Sequence, residues 1–112
     1  MAWVAGFFDG EGYIGAGGSP GRRTIEMSIA QASMSDVPGT LARVALVLGV
    51  GRLRGPRKLP NPWSKLPQYV WCANAFEDVQ FATALLWRWL GPVKRAQARE
   101  ALLHYHALGR AA

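Results

Sequence analysis

The sequence predicts a single α+β domain whose elements follow one another in the order αββαββαα. The observations behind this order are simple. Apolar residues recur either at every second position, as in strands, or at helical spacing, and glycines and prolines separate these runs. The 112 residues, of which 50% are hydrophobic, can bury one substantial core but are too few for two. We therefore expect residues 1–112 to form one domain.

The first element is a short helix over residues 1–9, and almost all of its residues are apolar. A helix that is apolar on every side has to be buried on every side. Three small residues, Ala2, Ala5 and Gly6, form one edge of this helix. We expect this edge to pack against a second copy of the chain, and burial within the chain's own core is the alternative.

Two pairs of strands are predicted after this helix. In the first pair, residues 13–16 lead through a turn at GGSPGRR into a strand where Ile25, Met27 and Ile29 alternate with polar residues. In the second pair, the runs VGRLRG and QYVWCA are separated by a proline-rich basic loop that cannot pair regularly. Each pair should form an antiparallel hairpin.

Local signals mark where the other three helices begin. Ser35 or Asp36 can cap the second helix. Asn74, followed three residues later by Glu77, resembles a capping box and predicts the start of the third helix. Pro92 suits the first position of the last helix, because its missing N–H would have no partner there.

The charge of the chain indicates a polyanionic partner. Thirteen Lys and Arg residues against seven Asp and Glu residues give a net charge of +6, which favours nucleic acid over a membrane. No run approaches the roughly 20 apolar residues that a membrane span needs. The single cysteine, Cys72, excludes an internal disulfide and a cysteine-rich zinc site. We expect an intracellular, cytoplasmic protein, and the richness in Ala, Gly, Arg and Pro favours a bacterial or phage source.

The stretch VAGFFDGEG at residues 4–12, the order of the elements and Gln31 at a strand end together resemble the LAGLIDADG homing endonuclease family. Val4 replaces the leading leucine of that family's nine-residue signature. The later stretches LGVGRLRG and GPVKRAQA are also similar, so the resemblance covers most of the chain. It implies an αββαββα saddle, in which a curved antiparallel four-stranded sheet lies in the DNA major groove, with a helix at the C-terminal end.

The resemblance also implies a function. Members with a single signature are homodimeric, site-specific endonucleases that hydrolyse both strands of a palindromic or near-palindromic DNA site with a divalent metal. Mg²⁺ is the expected cation, with Mn²⁺ as a substitute and Ca²⁺ as a substitute that does not support cleavage. The alternative on the same fold is a non-cleaving DNA-binding regulator or an RNA-splicing maturase. A third interpretation is an unrelated basic RNA-binding domain, for which the signature would be a coincidental match.

Two acidic residues end the first helix, where the helix dipole disfavours negative charge by about 0.3 to 1 kcal/mol. A bound divalent cation would remove this conflict, whereas a polar turn between helix and strand is the plainer explanation. By resemblance, Glu11 falls on the catalytic position of the signature and is a metal ligand, together with the backbone carbonyl of Gly10. Asp9 falls on a position that serves the helix end and the dimer interface.

Two more catalytic candidates follow from the resemblance. Lys94 matches a basic residue near the scissile phosphate, where it would stabilise developing charge, and Gln31 matches a glutamine that orders water. An exposed surface lysine and a solvated strand-end amide are the alternatives. Some relatives carry a further basic residue just beyond the glutamine, but residues 33–36 contain neither Lys nor Arg.

The DNA-binding candidates come from the alternation of the strands and from the clustering of basic residues in loops. If Ile25, Met27 and Ile29 face the core, the residues between them face the groove. Arg suits guanine, and short polar side chains suit other base edges, whereas cations at hairpin tips suit phosphates. An ordinary solvated charge is the alternative for each. The candidates are Arg22, Arg23, Thr24, Glu26, Ser28, Arg52, Arg54, Arg57, Lys58, Lys65 and Gln68.

Overall fold

The computed structural model describes residues 1–34, 36–58, 60 and 66–111. Its α-helices are α1 (Ala2–Glu11), α2 (Gly39–Leu48), α3 (Phe76–Leu86) and α4 (Pro92–Ala111). Its strands are β1 (Gly12–Ser19), β2 (Arg22–Ala32), β3 (Arg52–Arg57) and β4 (Gln68–Ala73). A turn of 3-10 helix, Trp87–Trp89, joins α3 to α4. The predicted α+β order is confirmed. No helix in the described ranges is long and apolar enough to cross a membrane.

The four strands form one antiparallel sheet in the order β1-β2-β4-β3. β2 is the longest strand and pairs on both sides: Ile29 lies opposite Gly12 of β1, and Met27 lies opposite Ala73 of β4. The β1–β2 hairpin turns at Gly21, whose φ of 86° lies in the left-handed region that glycine adopts without a steric penalty. β2 is therefore a central strand of the sheet, and its residues form cross-strand rows with their partners on β1 and β4.

One face of the sheet, here called the helix face, packs against the helices. Ile25, Met27 and Ile29 of β2 point to this face and are at most 2% exposed. Trp71 of β4 is fully buried beside them, and its indole N–H donates a hydrogen bond to the carbonyl of Val50 at 3.1 Å. Each large side chain buried here contributes roughly 1.5–3 kcal/mol through the hydrophobic effect. The alternation predicted for the second strand is confirmed.

α1 continues two residues beyond the predicted end at Asp9. The helix closes where the backbone N–H of Gly12 donates to the carbonyl of Phe8, so Glu11 is its last residue. Val4 and Phe8 are buried in the chain's own core. Asp9 does not end the helix, because a carboxylate near a helix C-terminus costs less than the hydrogen bonds of the last turn contribute.

The predicted small-residue edge of α1 requires one correction. Ala2 and Gly6 are exposed, but Ala5 has no exposed surface. At 100° per residue, Ala5 lies next to Phe8 on the buried side, whereas Ala2, Gly6 and Gly10 are four residues apart and share the other side. Ala5 therefore cannot gain burial from a second copy of the chain, and its assignment to a dimer interface is wrong.

The predicted helix caps are also corrected. α3 begins at Phe76, with Ala75 as N-cap and no side-chain cap, so Asn74 does not start this helix. Asp36 accepts a hydrogen bond from the N–H of Val37 at 2.8 Å, before α2 begins, and does not cap that helix. Ser35, the other candidate cap, lies outside the described residues. Pro92 does open α4, as predicted.

Candidate nucleic-acid interface

The second face of the sheet, here called the open face, carries Thr24, Glu26 and Ser28 of β2. These residues alternate with the buried ones, so they point away from the core. The register extends the face across the sheet, because Ser28 lies opposite Cys72, which in turn lies opposite Arg52. A hollow of about 460 Å³ on this face is lined by residues of β2, β3 and β4 and by Asn74. A strand face with a shallow hollow suits an extended ligand.

Arginines occupy the β3 side of the open face. Arg52, Arg54 and Arg57 are exposed, and the last two line the hollow with Gln68. Gly55, at φ 127°, separates Arg54 from Arg57 and lies where a Cβ atom would meet the carbonyl oxygen of Gln68 at 2.7 Å. The irregular register at this point brings Arg57 opposite Gln68. Only glycine fits this bend.

Two more predicted phosphate contacts lie at the ends of the face. Arg22 begins β2 beside the hairpin turn and is exposed. Lys58 is exposed just beyond β3, and Lys65 lies outside the described residues. The structure therefore leaves Arg22 and Lys58 accessible to a ligand on the open face.

Arg23 does not belong to the open face, which corrects its predicted role as a phosphate contact. Its guanidinium lies 4.0 Å from the centre of the Tyr105 ring and donates a hydrogen bond to the Tyr105 carbonyl at 3.0 Å. Phe76 stacks on the same ring, with centroids 5.1 Å apart. Arg23 has the parity of Ile25 in β2, so it points to the helix face. These contacts of Arg23 hold α4 against the β1–β2 hairpin.

Two residues that the sequence reasoning missed lie on the open face. Asn74 follows directly after the Met27–Ala73 pair, which places it beside Glu26. Tyr13 lies opposite Ser28 and is 54% exposed, with its hydroxyl over Gly15. The register of the first hairpin could have indicated Tyr13. Asn74 was missed because it was interpreted as a helix cap.

The C-terminal end of α1 presents oxygen atoms without a matching positive charge on the same helix. Glu11 is exposed, and the last turn of α1 contains no basic residue. The carbonyl of Gly10 belongs to the last turn, whose carbonyls have no partners within the helix. A Cβ atom on Gly10 would have no atom within 4 Å, so this end is accessible. Carboxylate and carbonyl oxygens are ligands that Mg²⁺ accepts.

Asp9 is engaged within the chain at the end of α1 and stays partly exposed, so its predicted place in a dimer interface stays a prediction. Both of its carboxylate oxygens accept hydrogen bonds from the N–H of Gly91, at 3.1 and 3.0 Å. Gly91 immediately precedes α4, so the carboxylate lies at the positive end of that helix's dipole. The unfavourable position of Asp9 on α1 is thus offset by a favourable position on α4.

Lys94 lies in the first turn of α4, close to α1. Its Nζ atom is 5.8 Å from the centre of the Phe8 ring and donates a hydrogen bond to Oε1 of Gln97 at 3.0 Å. Lys94 and Tyr13 line a second hollow, of about 540 Å³, between α4 and the β1 edge of the sheet. Because Tyr13 lies two residues after Glu11, the structure brings Lys94 to the region where α1 passes into β1.

Gln31 lies at the same end of the sheet as the end of α1. Gly12, the first residue of β1, lies opposite Ile29, and Gln31 is two residues further along β2. Its Oε1 atom accepts a hydrogen bond from Oγ1 of Thr40 at 2.6 Å. The side chain is therefore fixed to α2 through its oxygen, and its Nε2 donors make no hydrogen bond with any residue that the structure describes.

The described side chains can hold a divalent cation only together with ligands from outside the chain, such as water and phosphate oxygens. Among the described residues, no three His, Cys, Asp or Glu side chains lie close enough to hold a metal ion by themselves. One carboxylate, Glu11, and one carbonyl, Gly10, are available at the end of α1. Mg²⁺ is commonly held by one or two carboxylates together with water and phosphate oxygens. These residues fit such a site.

Comparisons with known proteins give matches at the level of structure. No protein-family model matches the sequence, and no curated protein is similar enough to be matched. The homing endonuclease I-CvuI, solved in complex with its target in the presence of Ca, superposes with a TM-score of 0.73 at 24% identity. The alignment covers 96% of this chain and 66% of that protein, so the chain spans just under two thirds of its length.

Two further structures show the same relationship. The homing endonuclease I-TnaI gives a TM-score of 0.65 at 20% identity, over 87% of this chain and 65% of that one. The LAGLIDADG meganuclease I-AabMI, bound to uncleaved DNA, gives 0.73 at 17% identity, over 98% of this chain and 37% of that one. The resemblance that the signature at residues 4–12 predicts is confirmed in the architecture: the chain has the fold of the LAGLIDADG homing endonucleases.

Proposed function

We propose that this chain is a homing endonuclease of the LAGLIDADG type, which binds double-stranded DNA at a specific site and hydrolyses one phosphodiester bond in each strand. The observation that carries the proposal is the location of Glu11, Lys94 and Gln31. All three lie around one end of a sheet whose open face is rich in arginine, in a chain with this fold.

DNA binding is assigned to the open face. Arg52 and Arg54 suit guanine edges in the major groove, and Thr24 and Ser28 suit other base edges. The exposed cations at the ends of the strands, such as Arg22, suit phosphates and would fix the register of the sheet on the duplex. I-AabMI and I-CvuI, which share the fold, are bound to DNA in their structures.

Cleavage is assigned to the end of α1. Glu11 and the carbonyl of Gly10 would hold Mg²⁺, or Mn²⁺ in its place, whereas Ca²⁺ would bind without supporting cleavage. Such a cation, when bound, activates water and neutralises phosphate charge. Lys94 is close enough to α1 to stabilise charge that develops on the scissile phosphate. Gln31 can donate from Nε2 to a water molecule while Thr40 holds its oxygen.

Cleavage of two strands calls for two copies of the chain, because each copy supplies one signature. Ala2, Gly6 and Gly10 lie along the exposed side of α1, and a Cβ atom on either glycine would meet nothing within 4 Å. A second α1 can therefore approach closely along this side. Trp3, beside it, is 38% exposed. A homodimer on a palindromic or near-palindromic site is the arrangement that this surface supports.

A non-cleaving DNA-binding regulator or RNA-splicing maturase is the second candidate. Two observations favour it. Residues 33–36 contain no basic side chain to assist Lys94, and both Lys94 and Gln31 already have side-chain partners, Gln97 and Thr40. Such a protein would still bind nucleic acid through the open face but would not hydrolyse it.

The two candidates are separated by selection from a randomised duplex library in the presence of Mg²⁺, with sequencing of both bound and cut molecules. Three proteins are compared: wild type, Glu11→Gln and Glu77→Gln. Glu77, in the first turn of α3, is exposed and does not line the hollow on the open face, so its variant controls for the change in charge.

An endonuclease cuts a near-palindromic site that Glu11→Gln binds and leaves intact, and Glu77→Gln cuts like wild type. If wild type enriches a site and never cuts it, the non-cleaving candidate is correct. If no duplex is enriched, the DNA assignment fails and RNA becomes the ligand to test.

A further inference from the structure

Glu26 is the only acidic residue in the four described strands, which contain five arginines, all but Arg23 accessible on the open face. It lies in the middle of the open face, in a row between Gly15 of β1 and Asn74 after β4. It is partly buried and lines the same hollow as Arg54. A negative charge in the centre of a cationic surface that faces a polyanion requires an explanation.

No interaction within the described part of the chain explains it. The side chain of Glu26 takes part in no ion pair and no hydrogen bond there. Gly15 and Gly17 on β1 have no side chains, and the hydroxyl of Tyr13 over Gly15 makes no hydrogen bond with Glu26 among the described residues. Its carboxylate is therefore not a structural anchor, in contrast to that of Asp9. It is available to whatever lies on the open face.

The chemistry of the DNA major groove decides what that carboxylate can accept. An ionised carboxylate only accepts hydrogen bonds. Guanine and thymine present acceptor oxygens there, and adenine presents its amino donor beside the acceptor N7, whereas cytosine presents the N4 amino donor. Phosphates repel the carboxylate. A carboxylate in this groove is thus favourable opposite cytosine and unfavourable opposite guanine or thymine.

We infer that Glu26 is a specificity-determining residue that selects cytosine at one position in each half of the DNA site. The inference rests on the proposed DNA-binding function and adds the base to be read. The residue acts more by rejection than by attraction, because its repulsion of phosphates and of acceptor edges weakens binding to every other sequence. A good side-chain contact to a base edge discriminates by about tenfold or more.

The test compares wild type with Glu26→Gln, which keeps the shape of the side chain and removes its charge. Glu77→Gln is the matched control, because it changes the net charge equally at an exposed helix residue that does not line the hollow on the open face. Each protein is used in a selection from a randomised duplex library with Ca²⁺ in place of Mg²⁺. Affinities are then measured on the selected duplex with each of the four base pairs at the affected position. Circular dichroism confirms folding.

Wild type and Glu77→Gln should select duplexes with one cytosine position in each half that Glu26→Gln no longer requires. Wild type should prefer cytosine there by about tenfold. Glu26→Gln should lose that preference or transfer it to adenine, which suits a glutamine amide. If Glu26→Gln selects the same sequences as wild type, the inference is overturned while DNA binding stands. If wild type enriches no duplex, the proposed function fails and the inference fails with it.

Discussion

Both carboxylate oxygens of Asp9 accept hydrogen bonds from the backbone N–H of Gly91, 82 residues away in sequence. This contact joins the last turn of α1 to the start of α4. The first of these helices carries Glu11 and the second carries Lys94, so one carboxylate fixes the distance between two proposed catalytic groups. The position of Asp9 in the signature thus has a structural reason that does not involve metal.

Asp9→Ala should destabilise the chain by about 1–2 kcal/mol, which is typical of losing a carboxylate at a helix N-terminus. The free energy of unfolding, measured by urea denaturation, checks this. Asp9→Asn keeps one acceptor oxygen and should cost less. An Asp9→Ala variant as stable as wild type would show that the contact with Gly91 contributes little.

Arg22 and Arg23 are neighbours in sequence and point to opposite faces, so they should respond oppositely to substitution. Arg23→Ala loses a stacked ring contact and a hydrogen bond, and should lower stability by about 1 kcal/mol with little change in DNA affinity. Arg22→Ala should keep stability and weaken DNA binding, with a salt slope reduced by about one.

Denaturation and DNA titration over a range of salt concentrations measure both effects. A fall in DNA affinity for Arg23→Ala, at unchanged stability, would contradict the assignment of faces.

Gly51 and Gly21 both have φ values above 80°, but their surroundings differ. A Cβ atom on Gly51 would meet Nε1 of Trp71 at 2.7 Å and the carbonyl oxygen of Cys72 at 2.8 Å, whereas one on Gly21 would meet nothing within 4 Å. Gly21→Ala should cost about 1 kcal/mol through backbone strain alone. Gly51→Ala should cost clearly more, because it also displaces the indole. Thermal denaturation of the two variants side by side checks the order, and equal losses would contradict it.

Gly6→Leu tests self-association through α1. Because nothing lies within 4 Å of a Cβ atom on Gly6, the single chain should accept the larger side chain and gain helix propensity. Close approach of a second α1 should be blocked, so the concentration at which dimers form should rise at least tenfold. Sedimentation equilibrium measures this. Gly39→Leu, at the open start of α2, is the control, and equal dimerisation of both variants would place the interface elsewhere.

The sequence was most informative where burial imposes a period. The alternation of Ile25, Met27 and Ile29 predicted both the strand and its two faces, because one face is buried and the other is not. Pro92 predicted the start of α4 through a different local rule, because the N–H that proline lacks would have no partner at the first helical position. The nine-residue signature added the resemblance to the LAGLIDADG fold, which the structural comparisons confirm.

The errors have one physical origin, which is that tertiary contacts are not visible in local patterns. Arg23 lies just after a turn, in a basic stretch that is typical of a phosphate-binding loop. Its position in the alternation of β2 and its contact with the distant Tyr105 place it on the helix face instead. Asn74 obeys a local helix rule, yet its position is decided by the end of β4. Ala5 belongs to an apolar helix whose buried side could not be identified before its neighbours were known.

The central claim is that Glu11 enables hydrolysis of a specific duplex, and a single-turnover cleavage assay on the selected site tests it most directly. Wild type and Glu11→Gln are each saturated with that duplex, and both strands are followed after Mg²⁺ is added. The account predicts that wild type cuts both strands and that Glu11→Gln, with comparable affinity, cuts neither at a measurable rate. Cleavage by Glu11→Gln at the wild-type rate would contradict the claim.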